Sequence, residues 1–196
     1  MSTKSMITDF VQRELAKSHV GAHTFDHSMR VYSLSMQLSK GLRVNMRVLE
    51  AAALLHDVGR PQEEESGVSH SILSGEMSRE CLRELGYTAE EIQQITDAIR
   101  THRFSENLEP RSLEGLILSD ADKLDAMGAI GVYRAIAQAA ASGKGVQGFL
   151  DHAEEKLLRL KDLMYTSPAK KLAAERHKTL HEFVQQLKQE ISSEHQ

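Results

Sequence analysis

A chain of 196 residues with 40% hydrophobic residues, 27% charged residues, 12 Gly and 3 Pro has the composition of a folded protein able to bury a real core. Twenty-four Lys and Arg against 28 Asp and Glu leave a net charge of −4, which excludes a generically basic nucleic-acid coat. The single cysteine, Cys81, excludes a disulfide framework and fits a reducing compartment, and no apolar run approaches the ~18–20 residues that span a bilayer.

Residues 1–10 carry Lys4 and Asp9 and lack the apolar centre of a signal peptide, so the expectation is a soluble, cytoplasmic protein with no membrane partner. Helical periodicity then runs through nearly the whole chain. Met6, Ile7, Phe10, Val11 and Leu15 share one broad face, and Asn45 caps a run carrying Val48, Leu49, Ala52, Ala53 and Leu55. Gly59 follows where a helix C-terminus favours a left-handed residue. Residues 60–67 break the pattern, with Glu63-Glu64-Glu65 reading as a solvated loop.

A helix is expected from about Ser69 to Leu85, with Ile72, Leu73, Met77 and Leu82 inward and Gly86 as its stop. Thr88-Ala89-Glu90-Glu91 reads as a capping box ahead of the stripe Ile92, Ile95 and Ile99. Leu113, Leu116, Ile117, Ala121 and Leu124 repeat the pattern, as do Ile130, Tyr133, Ile136 and Ala137. Ser142 to Gly148, with three glycines, reads as a flexible turn. Ser167 as cap and Pro168 at the first helical position open a last long helix through Leu180, Phe183, Leu187 and Ile191. Its apolar residues, Leu172 and Val184 included, read as closing the core rather than forming a dimer seam, with monomer and homodimer both left open. Residues 192–196 are expected to fray. No stretch alternates with period 2, so the predicted class is all-α.

Ten histidines against five Phe, four Tyr and no Trp is the one unusual feature. His27, the pair His56-Asp57, and Asp122 each fall in or at the end of a predicted helix. Ligands from separate helices can converge in a bundle core. Two imidazoles and two carboxylates suit Mn²⁺, Fe²⁺, Zn²⁺ or similar ions, and the absence of thiolates argues against a structural zinc. Adjacent residues on a helix point about 100° apart, so His56 and Asp57 can bracket an ion near a helix end. Spacing alone is permissive.

The strings His23-Thr-Phe-Asp-His27-Ser-Met-Arg-Val31, Leu54-Leu-His-Asp-Val-Gly-Arg60 and Leu118-Ser-Asp-Ala-Asp-Lys-Leu-Asp-Ala126 resemble the HD superfamily of metal-dependent phosphohydrolases, closest to its small stand-alone members. A bare His-Asp dipeptide is nearly worthless as a signal; three segments in order, with a glycine after the doublet, are strong. The motif region runs from about Asp26 to Arg134, and Gly128-Ala-Ile-Gly131 and Arg176 extend the likeness over most of the chain. The resemblance implies a single HD-like domain over residues 1–196, with a motif core at about 23–134 and C-terminal helices at about 149–192. It implies His27, His56, Asp57 and Asp122 as metal ligands.

Asp122 is selected because Ala121-Asp122-Lys123-Leu124 matches the family's Ala-Asp-basic-Leu string, which leaves Asp120 and Asp125 as supporting or capping groups. His27 fits the motif better than His23, which reads as a partly exposed loop histidine. His70 and His102 stand where two-metal members carry extra histidines, as ligands of a second metal, as phosphate contacts, or as a pair that merely satisfy each other. Arg60 and Lys123 are candidate catalytic phosphate contacts, and Arg30 and Arg103 are weaker substrate-binding candidates. An ordinary helix-end cation or salt bridge is the alternative for Arg60, Arg103 and Lys123.

The implied chemistry is hydrolysis of a nucleotide or small phosphoester by metal-activated water, with Asp57 orienting or deprotonating the water. Manganese leads as cofactor, with Mg, Fe, Co, Ni or Zn as alternatives. A nucleoside triphosphate cleaved to pyrophosphate is the favoured substrate. A nucleoside monophosphate phosphatase, a cyclic phosphodiesterase, a non-catalytic metal or nucleotide sensor and a di-iron oxygenase are the alternatives. Polymeric nucleic acid is not expected as a partner. Cys81, Phe104, Tyr133 and Phe149 read as core, and His152, His177, His181 and His195 as surface.

Overall fold

Ten α-helices and two short 3₁₀ turns make up the regular structure of residues 2–17 and 25–193, which the computed structural model describes, and these residues contain no strand. They divide into two compact units, one ending at Asp122 and the other starting at Lys123. No helix among them is long and apolar enough to cross a membrane.

The first unit opens with α1 (Thr3–Leu15), α2 (Phe25–Leu38) and α3 (Met46–Leu55). Ser2 and Asn45 cap α1 and α3 by accepting from the backbone N–H of Ser5 and Val48. Ile7, Val11 and Leu15 on α1 are buried, whereas Met6 is exposed. The seven buried residues of α3, Val48, Leu49 and Ala51 to Leu55 among them, make it the central helix, with α1, α2 and α6 (Ala89–Thr101) packed against it. The Thr88 capping box of α6 forms in both directions, and Ile92, Ile95 and Ile99 are buried beneath it.

Two local expectations fail here, for connected reasons. Residues 60–66 are not a loop but a short helix, α4 (Arg60–Ser66), ended by Gly67 at φ 73°. Gly59 is not left-handed either: at φ −84°, ψ 1° it is the residue that starts α4. Its lack of a side chain has a different use. A Cβ there would lie 2.7 Å from both the Leu73 Cβ and the Ser74 backbone N on α5 (His70–Glu84). The Gly59 N–H also donates to the Ser74 hydroxyl at 2.9 Å. Glycine therefore lets α5 lie directly against the turn that follows His56-Asp57.

Of the expected inward set on α5 only Leu82 is buried: Ile72 is exposed, Leu73 and Met77 are half-buried, and the rest of the buried face is His70, Ser71, Ser74, Gly75 and Ser78. Small residues allow the close approach to α4 and α6 that larger apolar ones would prevent. The 3₁₀ turn Phe104–Glu106 follows α6, and α7 (Leu113–Asp125) carries buried Ile117, Leu118, Ala121 and Leu124.

In the second unit, α8 (Gly128–Ala141), α9 (Gly145–Glu155), the 3₁₀ turn Leu157–Leu163 and α10 (Ser167–Ser193) pack on one another. The face of α8 is the reverse of the one expected. Ile130, Tyr133, Ile136 and Ala137 are exposed, while Gly128, Gly131, Val132 and Ala139 are buried. Glycine allows two close approaches: a Cβ on Gly131 would strike the Ala126 carbonyl oxygen in the turn just before the helix, and one on Gly128 would lie 3.1 Å from Arg176 on α10. Thr166, not Ser167, caps α10, its hydroxyl accepting from Ala169 N at 3.4 Å. Leu180 and Val184 of α10 are buried, and Phe183 sets its ring edge-on to Phe149 at 5.8 Å.

Candidate metal centre

His27, His56, Asp57, His70, His102 and Asp122 all belong to the first unit, and each stands at or near the end of a helix. His27 lies in the first turn of α2, and His56 closes α3 with Asp57 in the turn beyond it. His70 begins α5 behind its cap Ser69, His102 closes α6, and Asp122 lies in the last turn of α7. All except Asp122 are buried; Asp122 keeps 28% of its side-chain surface exposed, so the cluster opens to solvent on that side.

The two oxygens of Asp57 face two different groups of imidazoles. Oδ2 lies 3.4 Å from His27 Nε2 and 3.8 Å from His56 Nε2. His27 Nε2 is in turn 3.2 Å from His56 Nε2 and 3.4 Å from Asp122 Oδ1. On the other side, Asp57 Oδ1 lies 3.1 Å from His70 Nε2 and 3.6 Å from His102 Nε2, and those two nitrogens are 3.4 Å apart. His27, His56 and Asp57 form one group able to hold a metal, and Asp57, His70 and His102 another. The two share a single carboxylate.

Three of the four imidazoles are held in the form a metal needs. Nδ1 of His56 lies 2.9 Å from the Ala53 carbonyl and Nδ1 of His102 lies 2.6 Å from the Ile99 carbonyl. A carbonyl only accepts, so each Nδ1 carries the proton and each Nε2 presents a lone pair to the centre. His70 directs Nδ1 to Glu63 Oε2 at 2.9 Å, with the same result. Burial is the largest influence on His56 and, with His102 and His27 beside it, outweighs the pull of Asp57 and brings its pKa down to about 3. Enclosure works to raise the Asp122 carboxyl, but the hydrogen bond from His27 and the neighbouring imidazoles hold it well below the usual carboxylate range. Donors held about 2.0–2.2 Å from one ion lie roughly 3.0–3.5 Å apart, close to the separations seen around Asp57. The nitrogen-and-carboxylate donor set therefore fits a divalent ion.

The flanking cations are engaged by acids. Arg60 Nε lies 3.1 Å from Asp57 Oδ1, and its Nη1 lies 3.1 Å from Glu63 Oε2. Arg103 reaches Glu63 Oε1 at 2.7 Å and the hydroxyls of Ser69 and Ser105. Glu63 thus stands among four donors, including the His70 backbone N–H at 3.2 Å. Burial works to raise its carboxyl, while His70 and Arg60 outweigh it and hold the pKa below the ordinary value. Sequence reasoning missed this residue because it sits in an acidic run that reads as solvated, and nothing in its spacing marks it.

Other candidates fare variously. Arg30 is half-buried on α2. Lys123, in the second unit, is buried with its ammonium 4.3 Å from the centroid of the Tyr165 ring. Asp120 is buried, and Asp125 takes an ion pair from Arg134 at 2.7 Å. His23 and His195 lie outside the described residues. Cys81 is half-buried rather than core, and burial raises its thiol pKa, which fits an unreactive group. Phe104 and Tyr133 are exposed, contrary to expectation, and Phe149 is buried as expected.

Residues 24–127 match the model of the HD domain. YpgQ of Bacillus subtilis, described as an uncharacterized protein, is 34% identical over 94% of this chain and 92% of its own length. A crystal structure of YpgQ in complex with ADP superimposes with a TM-score of 0.79 at 30% identity, covering 96% of this chain and 97% of that one. A predicted HD superfamily hydrolase from an uncultured Thermotogales bacterium gives a TM-score of 0.73 at 28% identity, covering 95% of this chain and 91% of that one. Ribonuclease Y of Rubrobacter xylanophilus is 26% identical over 110 residues, which is 56% of this chain but 20% of that enzyme.

Proposed function

This chain belongs to the HD domain family, and on that footing we propose that it is a metal-dependent phosphohydrolase of nucleotides, releasing pyrophosphate from nucleoside triphosphates. The observation that carries the reading is the pair of His/Asp groups sharing Asp57, with two arginines beside them. The complex of YpgQ with ADP supports a nucleotide as ligand.

His27, His56, Asp57 and Asp122 would hold one divalent ion, manganese first among the candidates, and His70 and His102 with Asp57 a second. A bound divalent ion supplies Lewis acidity, bringing the pKa of water from ~15.7 towards ~7 and polarising a phosphoryl oxygen. The protein's own groups do the rest. Asp57, with one oxygen towards each group of imidazoles, orients the attacking water and receives its proton. Arg60, held 3.1 Å from Asp57, can offer its remaining donors to the phosphate that develops charge. Attack by a metal-activated water needs no covalent phospho-enzyme.

The test is product analysis of the purified protein with Mn²⁺ against nucleoside mono-, di- and triphosphates and an oligoribonucleotide, with Asp57→Ala as the blank. Pyrophosphate from triphosphates, absent in the variant, is expected. Inorganic phosphate from monophosphates would make the protein a nucleotidase, and oligoribonucleotide cleavage alone would overturn the small-nucleotide assignment.

A further inference from the structure

We propose that Glu63 is a positioning residue that ties the His70 half of the site to Arg60 and Arg103, so that one carboxylate governs both second-metal affinity and the placement of the phosphate-binding arginines. The proposal rests on the reading above, in which His70 and His102 complete a second metal position.

The geometry is a ring of close contacts, hydrogen-bonded on its Glu63 side and closed by ion-pair distances on its Asp57 side. Asp57 Oδ1 meets His70 Nε2 at 3.1 Å, His70 Nδ1 meets Glu63 Oε2 at 2.9 Å, Glu63 Oε2 meets Arg60 Nη1 at 3.1 Å, and Arg60 Nε returns to Asp57 Oδ1 at 3.1 Å. The second oxygen of Glu63 extends the ring to Arg103 at 2.7 Å and to the His70 backbone N–H at 3.2 Å. Both oxygens are therefore used as acceptors by four donors. Helix α4 turns this residue inward while Glu64 and Glu65 stay exposed, and buried Pro61 and left-handed Gly67 fix the two ends of the helix. A carboxylate on the far nitrogen of a metal-binding histidine sets the tautomer and strengthens the donor, and its loss typically costs 10–100-fold in metal affinity.

Glutamine at this position keeps the shape but offers one acceptor oxygen in place of two. It can serve His70 or Arg103, not both. It also removes the negative charge that offsets the two guanidiniums. The second metal should weaken, while ground-state attraction for a polyphosphate should hold or rise. A residue that only held α4 in place would instead lower both together.

The experiment is calorimetric titration of the metal-free full chain with Mn²⁺, without nucleotide, comparing wild type with Glu63→Gln. Wild type should bind two ions. The variant should keep the tighter site and lose 10–100-fold at the weaker one. Steady-state kinetics on a nucleoside triphosphate should then show kcat lower by at least tenfold, with KM unchanged or lower. Wild-type affinity at both positions in the variant, a single Mn²⁺ in the wild type, or a raised KM with unchanged kcat would each overturn the proposal. Should Glu63→Gln fail to fold, imidazole ¹⁵N spectra of the metal-free wild type decide instead. His70 protonated on Nδ1 is expected, and His70 protonated on Nε2 overturns the assignment. A failure of the phosphohydrolase reading would show separately, as absence of hydrolysis by the wild type, and the Mn²⁺ titration reads Glu63 without it.

Discussion

Replacing Gly59 by alanine isolates the close approach on which the second half of the site depends. The backbone there, φ −84° and ψ 1°, lies in the bridge region at negative φ, which alanine adopts at residue i+2 of type I turns, so no left-handed penalty enters the result. The added Cβ would sit 2.7 Å from the Leu73 Cβ and from the Ser74 backbone N, where ordinary contact is about 3.5–4.0 Å. Neither neighbour is the free end of a flexible side chain, so the turn and α5 must separate by roughly 1 Å. Overpacking of this kind costs about 1–3 kcal/mol. Separation also stretches the 2.9 Å bond from Gly59 N–H to the buried Ser74 hydroxyl, adding about 1 kcal/mol. The expected destabilisation is about 2–4 kcal/mol in urea unfolding. Because His70 begins α5, the same shift draws its Nε2 from the 3.1 Å contact with Asp57. Mn²⁺ titration should therefore show loss of the weaker ion ahead of the tighter one. Stability within 0.5 kcal/mol of wild type with both ions retained would refute the reasoning.

Acid should act through Glu106. Burial works to raise this carboxyl, but hydrogen bonds from Ser69, Arg100 and Ser71 outweigh it and bring the pKa down to about 2, against an ordinary 4.5. A depressed folded-state pKa contributes stability that is present above about pH 5 and is lost as the pH falls towards 2. Glu106→Gln should flatten that part of the stability–pH curve, by about 1–3 kcal/mol for a group with 18% of its side chain exposed; an unchanged curve in circular-dichroism unfolding would contradict the assignment. Chelation of bound metal should lower the melting temperature of the wild type but not of Asp57→Ala, since an ion stabilises only the form that binds it. Equal shifts in both proteins would place the ion elsewhere.

Two caps and the meeting of four candidate ligands were legible for local reasons. Asn45 and the Thr88–Glu91 box act within four residues of themselves, so their chemistry is written in adjacent letters. His27, His56, Asp57 and Asp122 carry distinctive neighbours, and the fold brings those four together. What escaped depends on distant backbone. The role of Gly59 is set by Leu73 and Ser74, fourteen and fifteen positions on, and Gly128 packs against Arg176, a residue on another helix. Arg60–Ser66 is too short and polar to show a helical stripe, and Glu63 in an acidic triplet gives no hint that it faces His70, Arg60 and Arg103.

Anomalous diffraction from crystals of the Mn²⁺-loaded protein tests most directly whether this cluster is a metal centre. The account predicts one peak within bonding distance of His27 Nε2, His56 Nε2, Asp57 and Asp122, and a second between Asp57, His70 and His102. A strong peak bound elsewhere, with none at Asp57, would contradict it.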